Sequence, residues 1–307
     1  MRRERLIPIS FLFLGYFAFA DNNLNSIDDF ENIDDFKINF SKGDDTVLGV
    51  DVQYDYYFDF NKNLHSEIGY INKQIDSVEN FTLTNIEGKK GTKIKKEEIS
   101  LSLLYDFPLF TVGAEYEHFS SNKEQSGYYK SGNSYLPYDH HIDIKGDRVN
   151  IIGEVNYSDK LFYSSLKAKV APKTNLDIDQ NTKIFPNNVN GGDLSSSSTL
   201  DLSYKIKGQL MANVGQHYEI GVEGNYEFTP YEYQLKVKAG NGYREKTKSY
   251  DEKRKEYFGK VCVKDFKILK DFSLVFRYGK SEVDKTGMNS VKENIFTFGI
   301  DSRCTEL

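Results

Sequence analysis

The sequence predicts an all-β protein, a transmembrane antiparallel up-and-down β-barrel of fourteen strands, or twelve on the alternative count, with short turns at one end and long loops at the other. Three observations carry this. Between Leu48 and Phe60 apolar residues (Leu48, Val50, Val52, Tyr54, Tyr56, Phe58, Phe60) alternate with Gly49, Asp51, Gln53, Asp55 and Asp59, and period-two alternation sends the two sets to opposite faces of a strand. The stretch is about as long as the ~9–11 tilted residues that cross a bilayer. The pattern then recurs down the chain with short and long connections in turn, and nowhere do the ~18 consecutive apolar residues of a membrane helix appear after the first twenty.

Residues 1–20 read as a secretory signal: Arg2, Arg3 and Arg5, an apolar run from Leu6 to Phe17, then Ala18-Phe19-Ala20 with cleavage expected after Ala20. Residues 21–32 form an acidic leader, 33–301 the barrel and 302–307 a short tail. The stretch Asp21 to Asp35 carries six carboxylates and no cation, which favours a solvated tail. Losing the signal moves the formal charge from −6 to −8, since three Arg and one Glu leave with it. That balance argues against a nucleic-acid partner. A low mean hydropathy misleads for a barrel, because an oily outside is averaged with a polar inside.

The outward-facing sets begin with Phe36, Ile38 and Phe40 and continue through Leu64, Ile68 and Tyr70, then Ile99 to Phe107 and Phe110 to Tyr116. Next come Val149 to Tyr157, Phe162 to Val170, Leu200 to Ile206, Tyr218 to Phe228 and Tyr231 to Val237. Tyr257 to Val263, Phe272 to Tyr278 and Phe296 to Ile300 complete them. Even positions stay apolar from Leu200 to Phe228, too long for one strand, so breaks are placed near Lys207-Gly208 and Gly215-Gln216 to give fourteen strands. Merging the first two pieces and demoting 33–41 gives twelve. Proline avoids sheet interiors; Pro8 lies in the signal, Pro108 and Pro230 are read as tight turns, and Pro137, Pro172 and Pro186 as loop residues. The segments 77–93, 121–144, 173–197, 241–255 and 281–290 read as long loops. Asn61 to Asn63, Pro108, Ser158 to Lys160, Thr229-Pro230 and the stretch around Leu269 read as short periplasmic turns.

The other parity collects charge: Asp51, Asp55, Asp59, Glu67, Glu98, Glu115, Glu117, Arg148, Glu154, Lys167, Lys169, Asp201, Lys205, Glu219, Glu223, Glu227, Lys236, Lys238, Lys260, Lys264 and Arg277. So many ions cannot lie in a dry core, so the enclosed space must be wet. Barrels of about eight strands fill with side chains and those of sixteen or more leave a channel; fourteen leans to a channel. Carboxylates dominate the first half of the set and cations the second, which predicts either a transverse field or cross-strand pairs. A hairpin at Thr229-Pro230 would set Glu223 against Lys236.

By these features the mature chain resembles a porin-like outer-membrane barrel of a Gram-negative bacterium. The resemblance implies residence in the outer membrane, lipid and the outer-membrane assembly machinery as partners, and passive diffusion of small hydrophilic solutes without cofactor or metal. The long outer loops, rich in Tyr, Asn, Lys and Asp, offer the alternative of a surface adhesin or structural protein meeting a host or cell-surface ligand.

A third reading rests on Tyr116-Glu117-His118-Phe119-Ser120-Ser121-Asn122. His118 and Ser120 share the lipid-facing parity, where a hydrolase of membrane lipids needs a nucleophile and its base. The spacing is similar to the His-x-Ser of outer-membrane phospholipase A and the lipid A deacylases, which implies His118 as base and Ser120 as nucleophile. Those families continue Ser-Asn-Gly where this chain has Ser120-Ser121-Asn122, and the sequence assigns no third residue to orient the ring. Asp139, His141 and Asp143 would project to one side and suit a divalent cation, although a solvated loop explains them as well. Asp177-x-Asp179-x-Asn181 lacks the Gly and Glu of a calcium loop. Cys262, on a strand, and Cys304, in the tail, are the only cysteines, and that geometry argues against a disulfide even in an oxidising envelope.

Overall fold

The structure is a computed structural model that describes residues 35–301, apart from 59–60, 84–85, 132, 185–188, 240–241, 265–272 and 287–289. The predicted signal and leader, the stretch around Leu269 and Cys304 therefore lie outside the described residues. The strands are β1 Asp35–Gly43, β2 Thr46–Phe58, β3 Asn61–Leu83, β4 Ile86–Asp106, β5 Phe110–Ser131, β6 Ser134–Ser158 and β7 Phe162–Ala171. They continue with β8 Thr174–Ile184, β9 Val189–Leu200, β10 Ser203–Asn213, β11 Tyr218–Ala239, β12 Gly242–Val263, β13 Ser273–Lys285 and β14 Val291–Asp301. All pairings are antiparallel, and β1 pairs with β14 from Lys37↔Asp301 to Gly43↔Ile295, which closes the barrel.

Twelve of the fourteen strands make the closed wall. The other two, β8 and β9, form a hairpin standing on β7 and β10. β7 pairs with β6 from Ile151 to Ser158, and β8 takes over the same edge from Tyr138 to Arg148. Thus β8 continues the line of β7 after an interruption at Pro172-Lys173. β9 likewise precedes β10 with a gap at Asp201-Leu202. The two gaps lie side by side, between the pairs Ala171↔Ser203 and Thr174↔Leu200. At each gap the alternation changes phase: Ala171 and Thr174 both point in, as do Leu200 and Ser203, while Asp201 and Leu202 are exposed. Leu200 and Asp201 therefore have the opposite facing to the one their parity predicts.

β10 runs unbroken through Lys207-Gly208, and the real turn is 214–217. There the Val214 N–H donates to the Tyr218 carbonyl at 2.8 Å and Gly215 adopts φ 77°, a left-handed conformation that glycine enters without penalty. The predicted turn at Thr229-Pro230 does not exist, because β11 passes straight through it with Pro230 opposite Asp251. Asp251 turns its own N–H and carbonyl to Thr286, so the pair with Pro230 is non-hydrogen-bonded and the proline nitrogen faces the other way. On that side the β10 ladder has already ended at Tyr204↔Phe228, so no donor is missed. Pro137 also sits in a strand, opposite Tyr128. The segments predicted as long loops are largely tall β-ribbons: the upper parts of β3, β4, β5, β6, β8 and β9 pair edge to edge as one sheet, and β11–β12 rise as a two-stranded one.

The burial pattern is that of a soluble protein turned inside out. Leu101, Leu103 and Ile151 are exposed on the outside, whereas Glu115, Glu117 and Glu219 are buried within. A contiguous apolar outer face of this extent requires a nonaqueous surrounding, and a closed antiparallel wall leaves no unpaired backbone to meet it. The belt ends on β5 and β6 at Tyr116↔Val149; above it the outward pairs become His118↔Asp147, Ser120↔Lys145 and Asn122↔Asp143. Cys262, buried on the inner face of β12, is disulfide-bonded, contrary to the sequence expectation. Cys304 is the chain's only other cysteine.

Candidate functional site

The enclosed space inside the belt is laced by ion pairs that span it as well as run along its wall. Lys167 and Lys169 on β7 and Lys205 and Lys207 on β10 make a lysine stripe, Lys205 facing Lys169 and Lys207 facing Lys167. Carboxylates on several strands meet it: Lys167 Nζ reaches Glu67 of β3 at 2.8 Å and Glu154 of the neighbouring β6 at 3.6 Å, and Lys169 Nζ reaches Glu115 of β5 at 2.6 Å. Lys207 lies 3.4 Å from Glu223, which also binds Arg277 at 3.0 Å. Arg148 joins Glu117 at 2.5 Å and Glu227 at 3.8 Å. Lys205 stands in the electrostatic reach of Glu98, Glu227 and Glu117. Towards the short-turn end of the barrel Lys264 pairs with Glu219, and Lys260 lies 4.0 Å from Asp301.

A carboxylate so deeply placed must have every lone pair occupied. Glu115, 1% exposed, accepts hydrogen bonds from Ser102 at 3.0 Å, Asn150 at 2.9 Å and the Lys169 ammonium. Above it the Phe119 ring fills the space over Gly146, where a Cβ would come within 2.2 Å of the ring, and the Arg148 guanidinium lies 5.5 Å from the ring centre. A cavity of about 380 Å³ remains below, bordered by Asp51, Glu67, Glu98, Glu154, Lys205 and Lys260 among others.

Asp55 is also buried within the barrel. Asp59 and the side chains of Lys236 and Lys238 lie outside the described residues. Glu223 does not pair with Lys236: it faces Gln209 and Phe258, because the hairpin that would have brought Lys236 opposite is absent. The charges combine the two alternatives predicted for them. The stripe is one-signed, and its partners divide between neighbouring strands, Glu154 of β6 and Glu223 of β11, and strands further off, Glu115 of β5 and Glu67 of β3. Lys37, which pairs with Asp51 at 3.3 Å, and Lys207 were missed in the sequence although both carry the inward parity.

On the outer face His118 Nδ1 lies 2.9 Å from Asp147 Oδ1, and the Tyr116 hydroxyl donates to the same oxygen at 2.5 Å. Asp147 thus makes the contact to the His118 ring for which the sequence assigned no residue. Its signal was outward parity on the strand that pairs with β5, which only the register reveals. Ser120 follows His118 on the same face, opposite Glu97 and Lys145. His141 Nε2 lies 2.8 Å from Asp143. Among the described residues no group of three or more His, Cys, Asp or Glu is arranged to hold a metal ion.

No family model and no curated protein matches the chain. Solved structures that resemble it include the translocator domain of the autotransporter NalP from Neisseria meningitidis, at 10% identity over 94% of this chain and 96% of that one, with a TM-score of 0.49. The KdgM porin shares 11% identity over 87% and 97% with a TM-score of 0.36. The Pseudomonas putida toluene transporter TodX shares 9% over 87% and 89% with a TM-score of 0.46. Likeness this distant transfers no role.

Proposed function

We propose that the protein is a narrow outer-membrane channel for the passive diffusion of small hydrophilic solutes, working without cofactor or covalent chemistry. The observation that supports this most is the charge-bordered cavity inside a closed wall whose outer face is apolar. The pairs Lys167–Glu67 and Lys169–Glu115, which join non-adjacent strands, narrow the passage, so the channel discriminates by size and charge. Lipid surrounds the belt, the outer-membrane assembly machinery inserts it, and the tall ribbons are the part that a host or cell-surface ligand would meet. Refolded protein in a planar bilayer should give small conductance steps, enlarged in Glu67→Gln with Lys167→Met. A correctly folded barrel that passes no current would end this reading.

A second reading, a lipid hydrolase, is favoured by the contact between His118 and Asp147. With Nδ1 engaged, Nε2 is the ring nitrogen available to take the Ser120 proton while Oγ attacks an ester carbonyl, and to return it to the departing alcohol. Water then hydrolyses the acyl-serine. Fatty acid release from phospholipid should vanish in Ser120→Ala and fall in Asp147→Asn; release unchanged in Ser120→Ala would exclude it.

A further inference from the structure

Above the cavity, the inner faces of β3 and β4 bring two lysines directly opposite each other, Lys73↔Lys96. Like charges in that position repel. From the strands across the barrel Arg254 and Lys285 repel Lys96, and Glu252 attracts it. The nearby carboxylates are shared among several donors: Glu256 accepts hydrogen bonds from Asn225 at 3.1 Å and Ser281 at 3.3 Å, and Glu227 lies 3.8 Å from Arg148 while also acting on Arg254. Glu293 lies 3.6 Å from Lys73 and also accepts the Thr46 backbone N–H at 2.5 Å. Glu252 is held by Lys285 at 2.8 Å and stands 3.9 Å from Arg254, whose Nε is buried without a hydrogen-bond partner. Lys96 makes no ion pair among the described residues.

Beside these cations lies an aromatic wall. Tyr231 faces inward because β11 has no turn at Pro230, and it stacks on Tyr250 with ring centres 4.9 Å apart and planes at 20°. Lys285 Nζ sits 5.6 Å from the Tyr250 ring centre. Repelling ammonium groups, an unfilled guanidinium donor and a flat aromatic surface together form a receptor for a charged, planar guest. An anion there would bridge Lys73 and Lys96 and give Arg254 its missing acceptor, as charge-assisted hydrogen bonds do best in partly dry sites.

We propose that Lys73, Lys96, Arg254 and Lys285, with Tyr231 and Tyr250, form a binding site for a small organic oxyanion with a flat face. If the channel reading holds, this site stands at the outer approach to the passage and sets its preference for anions, so the proposal deepens that reading. Binding and conduction are nevertheless separate measurements.

The test uses the full chain refolded in detergent, titrated with benzoate, with inorganic phosphate and with the uncharged benzyl alcohol, followed by calorimetry. Benzoate should bind more tightly than phosphate and benzyl alcohol not measurably; phosphate binding as well as benzoate would overturn the flat-face requirement. Lys96→Met should weaken benzoate about tenfold, the loss of roughly one charge-assisted contact, while leaving the barrel at least as resistant to urea because a repulsion is removed. Tyr250→Leu, which leaves the cations in place, should weaken benzoate but not phosphate. In a bilayer under a KCl gradient, Lys96→Met should shift the reversal potential towards cation preference. Benzoate affinity unchanged in Lys96→Met would overturn the proposal. Benzoate binding that depends on Lys96 in a barrel that passes no current would uphold the site while removing the channel.

Discussion

The two faces of the β5–β6 hairpin carry similar polar chemistry in opposite circumstances. On the inside Glu115 and Glu117 receive Ser102, Asn150, Lys169 and Arg148 and are almost wholly buried. One strand position away, on the outside, Asp147 receives His118 and Tyr116 with about half its side chain exposed. The inner groups have no water to fall back on, so each partner is obligatory; the outer ones lie where belt gives way to solvent, and their partners set orientation rather than stability. Burial, more than residue type, decides whether a charge holds the fold together or remains free for chemistry.

Removing Lys169 should separate the faces most sharply. Lys169→Met strands Glu115 and should cost about 3–5 kcal/mol in urea unfolding, as breaking a buried pair does, whereas Asp147→Asn should cost well under a third of that. Equal losses would abolish the distinction. The belt offers the next largest effect. Leu101→Arg places a charge on the lipid face and should cost about 2–4 kcal/mol in bilayer refolding, while Asn122→Arg, above the rim, should cost about 0–1 kcal/mol. A flat response with height would mean that the belt is drawn in the wrong place.

The smallest effect belongs to the short turn between β6 and β7. There the Asp159 carboxylate accepts the N–H groups of Phe162 at 2.9 Å and Leu161 at 2.7 Å. These backbone donors hold its carboxyl below the ordinary aspartate range. Because its folded value lies under its unfolded one, its contribution is present above the unfolded pKa of ~4. It fades as pH drops towards the folded value. Asp159→Asn should therefore lower stability slightly near neutrality, where the contribution is present, and leave it unchanged at the acid end, so that the profile is flatter, as read from unfolding midpoints between pH 7 and pH 3.

How far the sequence could be read varied along the chain. Where strands are uninterrupted, as from Ile99 to Asp106, alternation specifies which residues meet lipid and which meet the interior, because the side-chain period of a strand is two whatever its neighbours do. The gaps at Pro172-Lys173 and Asp201-Leu202 defeated that logic. A change of phase needs two adjacent strands to break at one level, and adjacency is not written into either segment. Pro230 misled for a related reason: its missing donor signals a turn in isolation, but is harmless where the neighbouring ladder has already stopped. In the ribbons, polar sequence reads as loop, yet long hairpins keep their backbone paired irrespective of side-chain hydropathy. Asp147 could not be joined to His118 without the register, since 29 residues separate them.

The sequence by itself determined a barrel of alternating strands with an apolar exterior and a charged interior, because strand period and segment length are local properties of the chain. Only the tertiary structure decided that twelve strands close the wall, that the lysine stripe on β7 and β10 finds acids on β3 and β5 as well as on its neighbouring strands, and that Lys73 and Lys96 confront each other. Those outcomes depend on register and closure, which couple residues far apart in sequence through hydrogen bonds that no single strand encodes.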